Sequence, residues 1–319
     1  MSETKRAKVG VVLLNFRSAE DILSRLEDLR TIDGPRIQVW VVDNDSGDDS
    51  SALLPPALQE GESWIEAPDN LGYAGGNNLG IREALAWGAR YVLILNPDCR
   101  PDPGFLAPLL IAMESQVEAG IVCPLILHAR EDAVQSLGGA FGLWTGSAKR
   151  RFLGADPDDP RVLDWTEVDF PHGACMLVRR ECLEISGLLH ETFFLYYEDV
   201  EFGLRARKEG WRTLAVPQSR VRHRDTTRER RNDPLVTFLG TRNQIWVERL
   251  HAGKVPFASF LLLSALARWP LAFSSKLLTG HVRAAFAVLK GVLHGVFGRG
   301  LKDRAHRSLP RRVLRRPMP

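Results

Sequence analysis

The stretch YVLILNPDCRPDPGFL, residues 91–106, decides the fold. Five apolar residues, Tyr91 to Leu95, run without a polar break and stop at Asn96-Pro97-Asp98. An apolar run bounded by turn residues is the pattern of a strand buried on both faces. In parallel sheets, ligands sit at the carboxyl ends of strands. A carboxylate there, Asp98, suits a hard divalent cation whose remaining positions go to phosphate oxygens and water. It equally suits a cap on the turn that follows.

Working outward, KVGVVLLNF (8–16) is a second continuous apolar run. SAEDILSRLEDLRTI (18–32) places Ile22, Leu26 and Leu29 on one helical face behind a possible N-cap, Ser18. RIQVWVVDNDSGDDS (36–50) is a third run, ending at Asp43 and Asn44. SWIEAPDN (63–70) is a short strand, and GGNNLGIREALAWGA (75–89) a helix opened by Gly75 and Gly76. Strands and helices alternate, which predicts an α/β fold with a mixed, mostly parallel sheet flanked by helices. Asp43 and Asp98 then end two strands on one rim. The glycines fit neither G-x-G-x-x-G nor a Walker loop. At a helix start their N–H groups would face a ligand, and the amides of Asn77 and Asn78 would suit a sugar or a phosphate.

Beyond Leu106 the pattern loosens. FLAPLLIAMESQVEAG (105–120) reads as a helix and IVCPLIL (121–127) as a strand. Residues 129–162 are rich in Gly, Asp and Pro and read as a long, partly ordered loop region. FFLYYEDVEFGLRARKEGW (193–211) sets Glu198 and Asp199 behind aromatic residues at a helix start. Apolar surroundings raise a carboxyl group's proton affinity, which suits a general base. Acids also simply favour helix N-termini. RTLAVPQSRVRHRD (212–225) is a last strand ending near His223, whose imidazole can join Asp98 on a metal or stand alone at the surface.

Charge is unevenly spread. Residues 299–319 carry eight Lys/Arg and one Asp, and residues 1–298 carry 34 basic against 38 acidic groups. The body is mildly acidic and the tail is a basic arm, expected to be disordered. Four cysteines without a CxxC pair, and an N-terminus without an apolar signal core, fit a reduced, cytoplasmic setting. The uncharged run Val255–Ala267 falls short of a membrane span and is interrupted by Arg268 and Pro270. With the amphipathic piece after it, residues 251–298 read as a helical segment lying in a membrane interface. No nucleic-acid motif accompanies the tail. No dinucleotide fingerprint follows the first strand, which argues against a nicotinamide-dependent oxidoreductase.

In this order, VVLLNFRS, VVDNDSGDDS, NLGYAGGNN, LNPDCRPDPGFL, HGACMLVRRE, FFLYYEDVEFGLRARKEGW and VRH span about Val9 to His223. The ordered set resembles the inverting family 2 glycosyltransferases of GT-A (Rossmann-like) fold, and most nearly their rhamnosyltransferase-like bacterial branch. The resemblance implies a glycosyltransferase domain over residues 1–250. It implies that Asp43 reads the donor's base or ribose, and that Asn15, Asn44, Gly75, Gly76, Asn77 and Asn96 line the nucleotide pocket. Asp98 becomes the metal acid of a DxD-like motif, with His223 completing the site. Asp199 becomes the catalytic base, beside Glu198. Asn96 replaces the usual first acid of that motif, leaving fewer charges on the cation. The implied cofactor is Mg2+ or Mn2+. The implied donor is a nucleoside-diphosphate sugar, with dTDP-rhamnose favoured over a UDP-hexose. The implied acceptor is a lipid-linked or cell-surface glycan precursor, met at the inner face of the cell membrane. A non-catalytic nucleotide-sugar-binding scaffold would be expected to lack the base or the metal acid, and both are here.

Overall fold

The computed structural model of the chain describes residues 7–224 and 230–298. In chain order the elements are β1 (Lys8–Asn15), α1 (Ala19–Arg30), β2 (Arg36–Asp43), α2 (Ser50–Leu53), β3 (Glu62–Glu66), α3 (Gly72–Ala86), β4 (Tyr91–Leu95), β5 (Cys99–Pro101) and α4 (Leu106–Ser115). Then come β6 (Ala119–His128), β7 (Val134–Ser136), β8 (Gly139–Gly142), β9 (Ser147–Arg150), β10 (Thr166–Val168), β11 (Cys175–Arg179), α5 (Arg180–Ser186), α6 (Glu198–Lys208) and β12 (Arg212–His223). The last helices are α7 (Pro234–His251), α8 (Lys254–Leu278) and α9 (Val282–Phe297).

One sheet runs β10-β12-β6-β11-β4-β1-β2-β3, with β5 paired to β12 and β7 to β6. The ladders β4–β1–β2–β3 and β6–β12 are parallel, and the pairings of β11 with β4 and β6, of β5 and β10 with β12, and of β7 with β6 are antiparallel. The fold is therefore the expected mixed, mostly parallel sheet between helices. Strand β1 shows why its apolar run is unbroken. Val9, Val11 and Leu13 pack with Ile22 and Leu26 of α1 on one face, and Val12 packs with Ile81 and Ala84 of α3 on the other. All four cysteines are buried and unbridged.

Two stretches differ from the sequence reading. Within residues 129–162, expected as a long, partly ordered loop region, β7 joins the sheet and β8 and β9 form a hairpin. These strands are only three or four residues long, too short to carry an alternation. The segment expected to be broken at Arg268 and Pro270 is instead one continuous helix, α8. A wider π turn at Ser264–Arg268 absorbs the proline, which then starts the next α-helical turn. Helix α9 packs a small-residue face, including Ala284, Ala285, Gly291 and Gly295, onto α7. The basic tail, 299–319, lies outside the described residues.

Candidate active site

The site is built where β1, β2 and β4 end. Asn15 and Asp43 are register partners on adjacent parallel strands. The buried Asn15 amide donates to Asp43 Oδ1 at 2.7 Å and to Ser46 Oγ at 3.1 Å. Ser46 Oγ also donates to Asp43 Oδ1 at 2.5 Å. Asp43 is thus a nearly buried carboxylate held in one orientation. Asn44 follows it, donating to Asn70 Oδ1 and the Gly72 carbonyl and accepting from Leu71 N–H.

Across the strand ends, a cleft of about 390 Å³ is lined by Arg17, Asn44, Asn70, Tyr73, Asn96 and Asp98, with Phe194, Leu195, Arg224 and Arg230 closing it. Asp98 reaches His223 because β5 pairs with β12, setting Cys99 opposite His223. Asp98 Oδ1 lies 3.5 Å from His223 Nε2. The other ring nitrogen faces the amide of buried Gln135, whose Nε2 lies 3.0 Å and Oε1 3.1 Å from Nδ1. In the tautomer that donates from Nδ1 to Oε1, the lone pair on the His223 Nε2 faces Asp98, where it could bind a metal. Arg25 supports the turn from below, donating to the Cys99 carbonyl at 2.7 Å.

The donor set fits a divalent cation. Asp98, Cys99 and His223 present ligand atoms within 4.8 Å of one another. Burial, and then the charge of Asp98, push the Cys99 thiol well above its ordinary range, and it donates to the Ala174 carbonyl. It therefore stays protonated. A carboxylate oxygen and an imidazole remain, leaving positions for substrate oxygens, as Mn2+ or Mg2+ at phosphates requires.

Asp199 approaches through the loop Pro171–Ala174. The Ala174 carbonyl accepts from Asn96 N–H at 2.8 Å, while Gly173 N–H donates to Asp199 Oδ2 at 3.0 Å. Tyr73 Oη donates to the Gly173 carbonyl, and the ring of His172 stands edge-on to His223, 5.5 Å between centroids. Asp199 is half-buried. Burial raises its pKa against the hydrogen bonds from Gly173 and Val200 and the charge of Arg150. Glu198 is buried with Oε2 lacking a hydrogen-bond partner. Burial, and then the Asp199 charge, lift its pKa well above the carboxylate range.

The glycine turn is arranged differently from the sequence reading. Helix α3 begins at Gly72, not at Gly75, and its first N–H groups do not face the cleft. Those of Tyr73 and Ala74 both donate to the Phe194 carbonyl, at 2.6 and 3.3 Å. Gly72 has φ +70°, and a Cβ there would strike the same carbonyl. Gly76 is required because a Cβ would collide with Leu14 and press on Asn44, and Gly75 packs against Leu71. Asn77 and Asn78, expected as exposed amides, are buried. Asn77 donates to the Tyr73 carbonyl of its own helix, and Asn78 donates to the Leu189 carbonyl. They shape the wall from behind. Gln135, His172 and Arg25 escaped the sequence reading, because each acts through a partner distant in the chain. His172, inside the HGACMLVRRE piece, alone carried a local signal.

A model of a family described as glycosyltransferase-like family 2 matches residues 7–239. The low-salt glycan biosynthesis hexosyltransferase Agl10 of Haloferax volcanii is 31% identical over 66% of this chain and 64% of its own length. An N-acetylglucosaminyl-diphospho-decaprenol L-rhamnosyltransferase of Mycobacterium tuberculosis is 30% identical over 48% of this chain and 56% of its own. The chain thus spans less than two thirds of the length of either relative, 64% and 56%. Among solved structures, a mannosyltransferase of Pyrobaculum calidifontis, in complex with GDP-Man and Mn2+, superposes with a TM-score of 0.57. It is 16% identical, covering 92% of this chain and 88% of that one, and shows the GT-A fold.

Proposed function

We propose, from the premise that this chain belongs to the glycosyltransferase-like family 2, that it moves a deoxyhexose such as rhamnose from a dTDP-linked donor to a hydroxyl group of a lipid-linked or cell-surface glycan precursor, with inversion. The observation that carries this reading is the cleft joining Asn44 and Asn96 to the Asp98–His223 pair, one loop from a base of raised proton affinity. A UDP-hexose donor is the second reading, favoured by the hexosyltransferase relative.

In this mechanism Asp43, fixed by Asn15 and Ser46, accepts hydrogen bonds from the nucleoside. Asn44, Asn96 and Arg17 flank the phosphates. Asp98 and His223 would hold Mg2+ or Mn2+, which offsets the charge of the departing diphosphate. Asp199 takes the proton from the acceptor hydroxyl as that oxygen bonds to the anomeric carbon and the bond to the diphosphate breaks on the opposite face. Burial of Glu198 beside Asp199 disfavours a second negative charge next to the base.

The protein is further proposed to work peripherally at the inner face of the cell membrane. Residues 249–298 contain no Asp or Glu, but do contain Arg249, Lys254, Arg268, Lys276, Arg283 and Lys290. By length and composition α8 is apolar enough to cross a bilayer, with mean hydropathy 1.4. It is tied alongside the domain instead, with Phe260 fully buried and Arg268 donating to the Thr145 carbonyl at 2.6 Å. That arrangement favours an interfacial position.

A donor screen with purified protein and added Mn2+ or Mg2+, reading nucleoside diphosphate release, tests the activity. Asp98→Ala is expected to lose metal-dependent turnover by about 10²-fold or more. Asp199→Asn is expected to lose about 10²–10⁴-fold in transfer while still binding nucleotide. Full transfer by the Asp199→Asn protein would overturn the assignment of the base.

A further inference from the structure

Between Thr192 and Glu198 the chain makes a costly passage. Phe194, Tyr196 and Tyr197 all have left-handed backbone, with φ of 64°, 69° and 70°. None is Gly, Asn or Asp, the residues that tolerate this conformation. Such a backbone persists only where its surroundings over-determine it. Helix α7 supplies the constraint through one amide. Asn243 is fully buried, and its Nδ2 lies 2.9 Å from the Phe193 carbonyl oxygen, 2.9 Å from that of Leu195 and 2.7 Å from that of Tyr196. The amide cannot be turned around. Its Oδ1 accepts from Arg242 Nε at 2.9 Å, and a guanidinium has no acceptor to offer.

Arg242 is itself fully buried. Its Nη2 donates to the Thr192 and Phe193 carbonyls at 3.2 and 3.1 Å, and it lies 4.2 Å from the centre of the Trp246 ring. Among the described residues no carboxylate pairs with it. Carbonyl dipoles and an aromatic face hold this cation in place.

Both ends of the clamped segment reach the site. The Phe194 carbonyl caps α3, and Phe194 and Leu195 line the cleft. The Tyr197 carbonyl accepts from Glu201 N–H at 2.9 Å, opening the helix that carries Asp199.

We propose that Asn243, backed by Arg242, is a positioning residue. Its amide pins segment 194–197, three of whose four residues have positive φ, and thereby sets both the capped end of α3 and the placement of Asp199. The activity half of this proposal rests on Asp199 being the base, whereas the structural half does not. The test is hydrogen–deuterium exchange on full-length Asn243→Ala, with kinetics alongside. Peptides covering 72–76 and 194–202 are expected to lose protection selectively against the rest of the chain, and the melting temperature is expected to fall, because buried Arg242 and three carbonyls lose a partner. kcat is expected to fall by about 10²-fold, the cost of misplacing a reacting group by about 1 Å, with nucleoside diphosphate affinity changing far less. Unchanged exchange in both peptides would overturn the proposal, as would a uniform loss of protection throughout the chain. If Asn243→Ala does not fold, Asn243→Ser is read in the same way, since a single hydroxyl cannot span three carbonyls. Should the wild type transfer no sugar, the activity reading fails and the exchange pattern still decides the clamp.

Discussion

Asp199 is where opposing influences on a single carboxyl group can be separated. Burial raises its proton affinity, and the N–H groups of Gly173 and Val200, with the charge of Arg150, hold the rise in check. If it is the base, kcat/KM rises with pH along a limb lying above the ordinary Asp value of 3.8. Arg150→Gln removes a cation that favours the carboxylate, so the limb is expected to move to higher pH. Glu198→Gln removes a neighbouring acid that can only oppose ionisation of Asp199, so the limb is not expected to move to higher pH. Three pH–rate profiles check this, and a limb insensitive to Arg150→Gln would remove that residue from the account. The places of Asp43 and Asp98 beside strand ends were legible because the apolar runs before them are continuous, and that of Asp199 because two acids follow an aromatic run at a helix start. Asn77 and Asn78 were legible only as amides near glycines. Whether such an amide faces solvent or a carbonyl 111 residues away depends on tertiary packing.

Among the elements, α7 holds the least expected chemistry. Glu248 is fully buried in it, and burial lifts its carboxyl from 4.5 to about 7. The sign follows from linkage. A group whose folded pKa is raised costs nothing below its unfolded value and destabilises progressively as pH rises through the folded one. Wild-type stability is therefore expected to drop by roughly 1–3 kcal/mol between pH 4.5 and 7 on account of this group. In Glu248→Gln that part of the pH dependence should vanish, leaving the variant more stable than wild type at pH 8. Urea unfolding across pH measures it, and parallel curves for the two proteins would refute it. Strands β1, β2 and β4 could be read from the sequence because both of their faces are buried. The β8–β9 hairpin could not, because four-residue strands around glycines leave no period to read. Helix α3 was placed three residues late, because its cap is the Phe194 carbonyl from a distant loop, whereas local signals record only side-chain caps.

On the scale of the whole molecule, the helices after the sheet domain present an apolar surface with a purely cationic background. Leu266 is 72% exposed and Leu271 68%, and α9 adds an outward stripe of Val282, Phe286, Leu289, Leu293 and Phe297. Phe273 meets Phe286 with ring centres 5.9 Å apart, joining the two helices. Wild-type protein is expected to float with vesicles containing phosphatidylglycerol, more weakly as salt rises, and to be released by alkaline carbonate. Leu266→Glu with Leu271→Glu should stay with the soluble fraction. Flotation unaffected by these substitutions would dissociate the surface from membrane binding, and resistance to carbonate would indicate a spanning helix. The sequence revealed the charge asymmetry and the apolar content here. It did not reveal the single unbroken helix, because a π turn has no residue signature.

The unbridged cysteines make the sheet its own reporter. Cys99, Cys123, Cys175 and Cys182 are all inaccessible, and burial keeps each thiol from ionising near neutral pH. A maleimide or iodoacetamide added to the intact protein should leave all four untouched, so the protein can be handled in air without reductant. Any adduct that does form marks a local opening. On Cys99, directly after Asp98, it would time the breathing of the turn that carries Asp98.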